Sequence, residues 1–116
     1  MMEVLIMENM KNRFDNSGWG IYLPALNDAE ETCRRVGEDW GLTEEAMNEV
    51  EERAKQIVER SLRTNANPLK NLTSLIVCAK AEALIEKMCM TDELDPSDFD
   101  ISYDGGLVIL YQEKVL

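Results

Sequence analysis

The sequence predicts an α+β fold in which three or four helices pack against a C-terminal antiparallel β-hairpin. Apolar residues recur every three or four positions over residues 44–63, and residues 68–90 are apolar around most of a helical circumference. Two alternating apolar runs then flank a turn at residues 104–106. Because 116 residues with 45% apolar composition suffice for one core, we expect a single compact acidic domain over residues 1–116.

The N-terminal segment is predicted to be helical, because one apolar stripe runs through residues 2–14. A strand over residues 3–7 is the alternative. Breaker residues at 16–20 end this element, and residues 21–26 are expected to form an extended connector that its proline closes. The stripe consists of Met2, Ile6, Met10 and Phe14.

Two helices are predicted in the middle of the chain. The first is expected to span Asp28–Trp40, since Asn27 is a preferred N-cap residue and Gly41 a preferred C-cap residue. Thr43 is then predicted to cap an amphipathic helix over residues 44–63. The apolar stripe of this second helix comprises Met47, Val50, Ala54, Ile57, Val58 and Leu62.

A further helix is predicted over residues 68–90. Asn67 is expected to cap it, and Pro68 suits its first position because the missing amide hydrogen has no helical partner there. Apolar residues surround most of its circumference, so we expect this helix either at the centre of the core or at a subunit interface. An acidic loop is expected to follow over residues 91–97.

The last predicted element is a β-hairpin, because Asp104 and Gly105 lie between two alternating apolar runs. We expect the register that places the largest side chains together on one face. An isolated two-stranded hairpin is only marginally stable in water. We therefore expect a third strand, supplied by residues 3–7, by residues 21–23 or by another copy of the chain. The expected pairs are Phe99 with Tyr111, Ile101 with Ile109, and Tyr103 with Leu107.

The composition excludes several kinds of catalytic and metal site. The chain contains no His, which removes imidazole bases, His ligands and His-based triads. Its three cysteines (Cys33, Cys78 and Cys89) are too few for a four-thiolate zinc site and are expected to be buried free thiols. Nucleotide-binding, hydrolase and kinase motifs are also missing from the sequence. We therefore predict a protein that is not an enzyme and uses no cofactor.

The sequence carries no signal for export or membrane insertion. The N-terminus lacks a basic region and a small-residue cleavage site. Apolar runs all fall short of the roughly eighteen residues that a membrane span requires. We therefore expect a cytoplasmic protein, located in the host cytoplasm if the source is viral.

Charge is the strongest functional signal. The chain has 23 acidic residues against 12 basic ones, a net charge of −11, which disfavours direct binding to nucleic acid or to an anionic membrane. A first acidic group is followed by basic residues on the same predicted helix, so it is expected to be compensated by i,i+4 pairs. This group comprises Glu44, Glu45, Glu49, Glu51 and Glu52, and the expected pairs are Glu49 with Arg53, Glu51 with Lys55, and Glu59 with Arg63.

A second acidic group lies beyond residue 91, where Lys114 alone offsets seven acids. Asp98, Asp100 and Asp104 stand at even offsets, so on a strand they would share one face at a repeat of about 6.6 Å. That repeat is close to the spacing of phosphates in nucleic acid and would attract a basic groove. The alternative is a soluble edge strand protected by charge. The group comprises Asp92, Glu93, Asp95, Asp98, Asp100 and Asp104.

The same residues permit a weaker calcium hypothesis. Asp100, Ser102 and Asp104 match the first half of an EF-hand loop. Tyr111, however, stands where that loop needs a bidentate Glu, and a strand rather than a helix is predicted to follow. A hairpin turn explains Asp104 and Gly105 without a metal.

Two other sets of residues are candidates for binding. Trp19 and Trp40 lie near breaker residues and suit interface anchors, although packing at the rim of the core is equally consistent. Methionines near the predicted helix ends could form a pliable binding surface, with core filling as the commoner explanation. These methionines are Met1, Met2, Met7, Met10, Met88 and Met90.

Three functional hypotheses follow. The first is a non-enzymatic module that engages the basic, nucleic-acid-binding surface of a partner protein, in the manner of a phage or mobile-element inhibitor that mimics nucleic acid. Its partner-binding acids are expected to be chiefly those of residues 92–104, together with Glu44, Glu45, Glu49 and Glu52 of the helix over residues 44–63. The second is a homodimeric structural or adaptor protein, assembled through helix 68–90 and the hairpin edge. The third is a calcium-stabilised binding module.

Overall fold

The computed structural model describes residues 23–64, 72–103 and 106–116. Over these ranges the chain forms helices and a small antiparallel sheet of strand order β1-β2-β3, which confirms the predicted α+β fold and its C-terminal hairpin. The helices are α1 (Leu23–Trp40), α2 (Glu44–Thr64) and α3 (Leu72–Asp92). A 3-10 turn spans Pro96–Asp98, and the strands are β1 (Phe99–Tyr103), β2 (Leu107–Tyr111) and β3 (Lys114–Val115).

Helix α3 lies at the centre of the core. Eleven of its 21 residues are buried, and Leu72, Leu84 and Met88 are completely excluded from solvent. Helices α1 and α2 and strand β1 all pack on it, so apolar side chains are needed on nearly every side. Of the two positions expected for this helix, the centre of the core is the one observed, and most of the apolar surface of α3 is covered within its own domain.

Helix α2 follows its prediction closely. The Thr43 hydroxyl accepts a hydrogen bond from the backbone N–H of Ala46 at 3.1 Å, which caps the helix start. Val50 and Ala54 are buried, and the rest of the predicted stripe is half-buried against the core. The helix ends at Thr64, one residue beyond the predicted end.

Helix α1 begins earlier than predicted. It starts at Leu23, so the expectation of an extended connector is wrong for residues 23–26, and Asn27 lies inside the helix rather than at its N-cap. Pro24 falls in the first helical turn, where its missing N–H has no intrahelical partner to lose. Leu26 is buried, which supplies the apolar contact that holds this extra turn on the core. The proline therefore opens the helix instead of closing a connector.

The predicted C-cap of α1 is confirmed. Gly41 adopts a φ of +87°, a left-handed conformation that glycine enters without a Cβ clash. The N–H of Gly41 donates to the carbonyl of Glu38 at 3.0 Å, and the N–H of Leu42 donates to the carbonyl of Gly37 at 2.9 Å. These two bonds form a Schellman motif, which satisfies carbonyls that the helix end would otherwise leave unpaired.

The hairpin has the predicted register. Phe99 pairs with Tyr111, Ile101 with Ile109, and Tyr103 with Leu107. The source of the third strand differs from the prediction, because Lys114 and Val115 of the same chain pair with β2. Leu23 belongs to α1 and is not part of that strand, while residues 3–7 and 21–22 lie outside the described residues. The third strand follows a turn in which Gln112 and Glu113 both have positive φ. A Gln-Glu sequence does not predict such a turn, because Asn, Asp and Gly are the residues that favour it.

Several predicted elements lie outside the described residues. They are the helix over residues 2–14, its alternative strand over residues 3–7, the breaker residues at 16–20, and the capping pair Asn67 and Pro68. The helix predicted over residues 68–90 is described from Leu72 and extends to Asp92, two residues beyond its predicted end.

Replacing Gly41 tests the helix end. We expect Gly41→Ala to lower the free energy of unfolding by about 1–2 kcal/mol, because alanine is strained in the left-handed region. Gly41→Asn is the matched control and should lose less, since asparagine tolerates that conformation. Urea unfolding monitored by circular dichroism measures both, and an alanine variant as stable as the wild type would contradict the cap.

Candidate protein-binding site

The acids of the second group lie where α3 ends and the sheet begins. Asp92 is the last residue of α3, Glu93 occupies the following turn with a φ of +55°, Asp95 and Asp98 belong to the start and end of the 3-10 turn, and Asp100 lies in β1. All five side chains are exposed. Within the described part of the chain, none of them forms an ion pair with Lys or Arg. Their negative charge is therefore not neutralised by the described cations.

Two of these carboxylates accept hydrogen bonds from neutral groups. Asp92 accepts from the indole N–H of Trp40, and Asp95 accepts from the backbone N–H of Ser97 at 2.9 Å. Hydrogen bonds from Ser97 hold the pKa of the Asp95 carboxyl below its usual value, so this group stays charged in mild acid. Among residues 23–64, 72–103 and 106–116, the side chains of Glu93, Asp98 and Asp100 have neither hydrogen bond nor ion pair, which leaves them available to a partner.

The prediction that Asp98, Asp100 and Asp104 share one face of a strand is wrong for Asp98. Strand β1 begins at Phe99, and Asp98 belongs to the 3-10 turn. Pro96 lies in the first part of that turn and Asp95 caps it, so the backbone is curled rather than extended at this point. Asp104 lies outside the described residues, and Asp100 is the one member of the row placed on the strand.

Strand geometry does not favour the calcium hypothesis. Asp100 and Ser102 are exposed on a regular strand, where they pair with Leu110 and Val108. Alternate residues on a strand are about 6.6 Å apart, whereas calcium needs its oxygens gathered at 2.3–2.6 Å from one point. No group of three or more acidic or thiol side chains in the described ranges is arranged to hold a metal ion.

The acids of α2 are partly compensated, both across helices and within α2. Glu49 pairs with Lys87 of α3, and Arg53 pairs with Glu86 of α3 at 2.9 Å, so the predicted Glu49–Arg53 pair is replaced by two interhelical pairs. Within α2, the predicted pair of Glu59 with Arg63 is confirmed at 3.8 Å. Lys55 pairs at 3.7 Å with Glu52, the neighbour of its predicted partner Glu51.

Three other acids of the first group remain. Glu44 and Glu45 are exposed in the first turn of α2, where negative charge complements the helix dipole. Glu51 is exposed farther along α2, and both Glu44 and Glu51 border a groove between α1 and α2. Of the first group, Glu49 alone borders the other groove, described next, and Lys87 offsets its charge.

A groove of about 560 Å³ lies between α2, α3 and the 3-10 turn. The buried residues Val50, Ala83 and Cys89 contribute to its floor. Leu94 and Pro96 line it from the segment that carries the second acidic group, and Met90 stands at its edge with 76% of its surface exposed. We call this feature the Met90 groove. Sequence reasoning missed it, because its walls come from segments about forty positions apart.

The second acidic group borders the Met90 groove. Burial raises the pKa of the Cys89 thiol, and the negative charges of Asp95 and Asp98 raise it further. Cys89 lines the groove, and so do Leu94 and Pro96, which are the chain neighbours of Asp95 on either side. The acid at residue 95 is therefore attached to the segment that forms one wall of the groove.

Trp40 packs at the rim of the core. Its ring lies 5.6 Å from that of Tyr111 in an edge-on arrangement and 6.1 Å from that of Phe99. The indole is half-buried, and this is the rim packing that the sequence left as the alternative. A binding role for Trp40 stays a prediction, and Trp19 lies outside the described residues.

The methionines and cysteines divide between core and surface. Met88 is completely buried and Met90 is exposed, while the four N-terminal methionines lie outside the described residues. The three cysteines are free thiols. Cys33 and Cys89 are buried, as predicted, and Cys78 is half-buried. Within the described ranges, no helix is both long and apolar enough to cross a membrane.

Comparison with known proteins supplies no further constraint on this site. No protein-family model matches the chain, and neither a curated protein nor a solved structure shows significant similarity to it. The geometry and charge of the described residues therefore carry the functional argument.

Alkylation tests the environment of Cys33. Burial raises the pKa of this thiol to about 11, so at pH 8 only about 0.1% is thiolate, and we expect native Cys33 to react with iodoacetamide far more slowly than in urea. Half-buried Cys78 is the internal comparison and should react faster, as mass spectrometry of the peptides will show. Equal native rates at the two cysteines would contradict the burial of Cys33.

A titration tests the Asp95 cap. We expect the Asp95 carboxyl to titrate below its ordinary pKa of 3.8, because Ser97 donates to the charged form. Its stabilising effect on the 3-10 turn is therefore present above pH 3.8 and is lost as the pH falls through the lowered pKa. Carboxyl carbon NMR measures the midpoint. Ser97→Ala removes the hydroxyl contribution and should move the midpoint up, and a wild-type midpoint above 3.8 would refute the cap.

Proposed function

We propose that this protein is a non-enzymatic binding module that engages the basic, nucleic-acid-binding surface of a partner protein and inhibits it by occupying the place of nucleic acid. The observation that carries the proposal is the unneutralised second acidic group. Its described members Asp92, Glu93, Asp95, Asp98 and Asp100 are exposed and have no Lys or Arg partner among the described residues.

The distribution of charge supports this function. Residues 91–116 contain seven acids and one lysine, whereas most other cations of the described chain lie on helices beside acids. A surface of one sign attracts a surface of the opposite sign over about a Debye length, which speeds association more than it strengthens the final complex. A basic surface that binds phosphate is the natural counterpart of such a field.

The rigidity of the acidic segment also supports it. Asp92, Asp98 and Asp100 belong to a helix end, a 3-10 turn and a paired strand, and the short connection that carries Glu93 and Asp95 is held by backbone hydrogen bonds from Leu94 to Cys89 and from Asp98 to Asp95. Side chains carried on ordered backbone lose less conformational entropy when a partner binds. The segment is therefore suited to presenting several charges in one arrangement.

The homodimer is the second candidate, and the position of β1 is the observation that favours it. Strand β1 lies at an edge of the described sheet, where a strand of another copy could add. Helix α3 contributes little to such a dimer, because its apolar residues are buried in its own core. A net charge of −11 on each copy also opposes association. Light scattering at micromolar concentration distinguishes a monomer from a dimer.

Removal of three charges tests the first candidate. We expect the triple variant Glu93→Gln, Asp98→Asn, Asp100→Asn to weaken partner binding by about tenfold or more, chiefly through slower association. These exposed side chains form no hydrogen bond or ion pair within the described residues, so the fold should persist. Partners are captured from a lysate of the source organism at low salt and purified. Their affinity is then measured across salt concentrations and in competition with duplex DNA.

The control removes the same charge elsewhere. Asp28→Asn, Glu30→Gln, Glu82→Gln changes three other exposed acids and should bind nearly as well as the wild type. A captured protein that binds nucleic acid, and that nucleic acid displaces, supports the proposal. A salt-insensitive complex, or equal binding by the two triple variants, would refute it.

A further inference from the structure

One apolar side chain at the Met90 groove, that of Met90 itself, is not covered by the described part of the domain. Within the described residues, Met90 and Val115 are the large apolar side chains that stand exposed, at 76% and 69%. Val115 lies on the short strand β3, whereas Met90 stands at the edge of a groove with an apolar floor. Methionine is flexible and polarizable, so it adapts to a side chain that enters beside it.

We propose that the Met90 groove receives the apolar face of a cationic amphipathic helix of the partner protein. This inference rests on the proposed function and names the element of the partner that is recognised. One apolar side chain of that helix inserts between α2, α3 and Leu94, and its lysine or arginine residues lie against Asp92, Glu93, Asp95 and Asp98.

Charge complementarity selects a cationic occupant. Inside the groove, Glu49 is paired with Lys87 and Glu86 with Arg53, so the walls are close to neutral. The unneutralised acids follow Met90 along the chain, and one of them, Asp95, lies between the groove-lining residues Leu94 and Pro96. An apolar residue that enters the groove therefore brings its flanking residues next to negative charge. A second copy of this chain, with its net charge of −11, is repelled from the same position.

The shape of the groove favours a helix. Its two long walls are the packed helices α2 and α3, and a third helix fits against such a pair by laying a ridge of side chains between them. An amphipathic helix presents apolar residues at i, i+3 and i+4, which lets one residue enter the groove while its neighbours contact Met90 and Pro96. An extended basic segment would supply positive charge, but it would not present a ridge of apolar side chains to the groove.

Two labelled peptides and two point variants of the full chain test the inference. The first peptide contains leucine and lysine, with the leucines at helical spacing. The second has serine in place of every leucine and keeps the same charge. Met90→Ser removes the exposed apolar side chain at the groove, and Val115→Ser is the matched control at the other exposed apolar residue. Fluorescence anisotropy at low salt gives the dissociation constants.

We expect the leucine peptide to bind the wild type about tenfold more tightly than the serine peptide. Met90→Ser should weaken the leucine peptide by about fivefold and change the serine peptide less than twofold, because it removes only apolar contact. Val115→Ser should leave both affinities unchanged. The triple variant lacking the charges of Glu93, Asp98 and Asp100 should weaken both peptides by a similar factor, since they carry equal charge.

The outcomes separate this inference from the proposed function. Equal binding of the leucine peptide to the wild type and to Met90→Ser overturns the groove inference. The proposed function still stands in that case if the triple variant weakens the serine peptide. If the triple variant weakens neither peptide, the charge basis of the proposed function fails as well. A wild-type dimer that Met90→Ser converts to a monomer assigns the groove to a second copy and overturns the inference.

Discussion

The architecture depends on the need to cover α3. A helix that is apolar around most of its circumference is unstable until other elements exclude water from every side. Helices α1 and α2 pack along it, and the sheet packs against it through β1. This arrangement buries Leu72, Leu84 and Met88 completely, and it leaves the polar faces of the two other helices toward solvent.

The same arrangement decides where charge is balanced. Because α2 and α3 lie side by side, Arg53 and Lys87 reach acids on the opposite helix. The segment beyond α3 carries a single lysine, and Arg35 of α1, which reaches this segment, donates to the backbone oxygen of Leu116 at 3.1 Å rather than to a carboxylate. Its carboxylates are therefore not neutralised within the described chain. In the chain they come shortly after Met90, the exposed side chain at the edge of the Met90 groove.

Local patterns predicted most elements, and errors arose where tertiary packing overrode them. The hairpin register was predictable because a shift of one residue would place Phe99 and Ile109 on the solvent side. The start of α1 was not, because a proline three residues before an asparagine fits both a connector that leads to an N-cap and a helical first turn, and burial of Leu26 favours the helix. The strand at Lys114 and Val115 was missed because two residues show no periodicity.

The lack of His, the hairpin register and the excess of acids in the last third of the chain could be read from the sequence, because composition and local periodicity encode these properties directly. Three-dimensional packing was needed to show that Met88 enters the core while Met90 is exposed, that Glu49 pairs with Lys87 instead of Arg53, and that Asp98 lies outside the strand. Each of these outcomes depends on how close elements far apart in the chain approach one another, and spacing along one helix or strand carries no information about that distance.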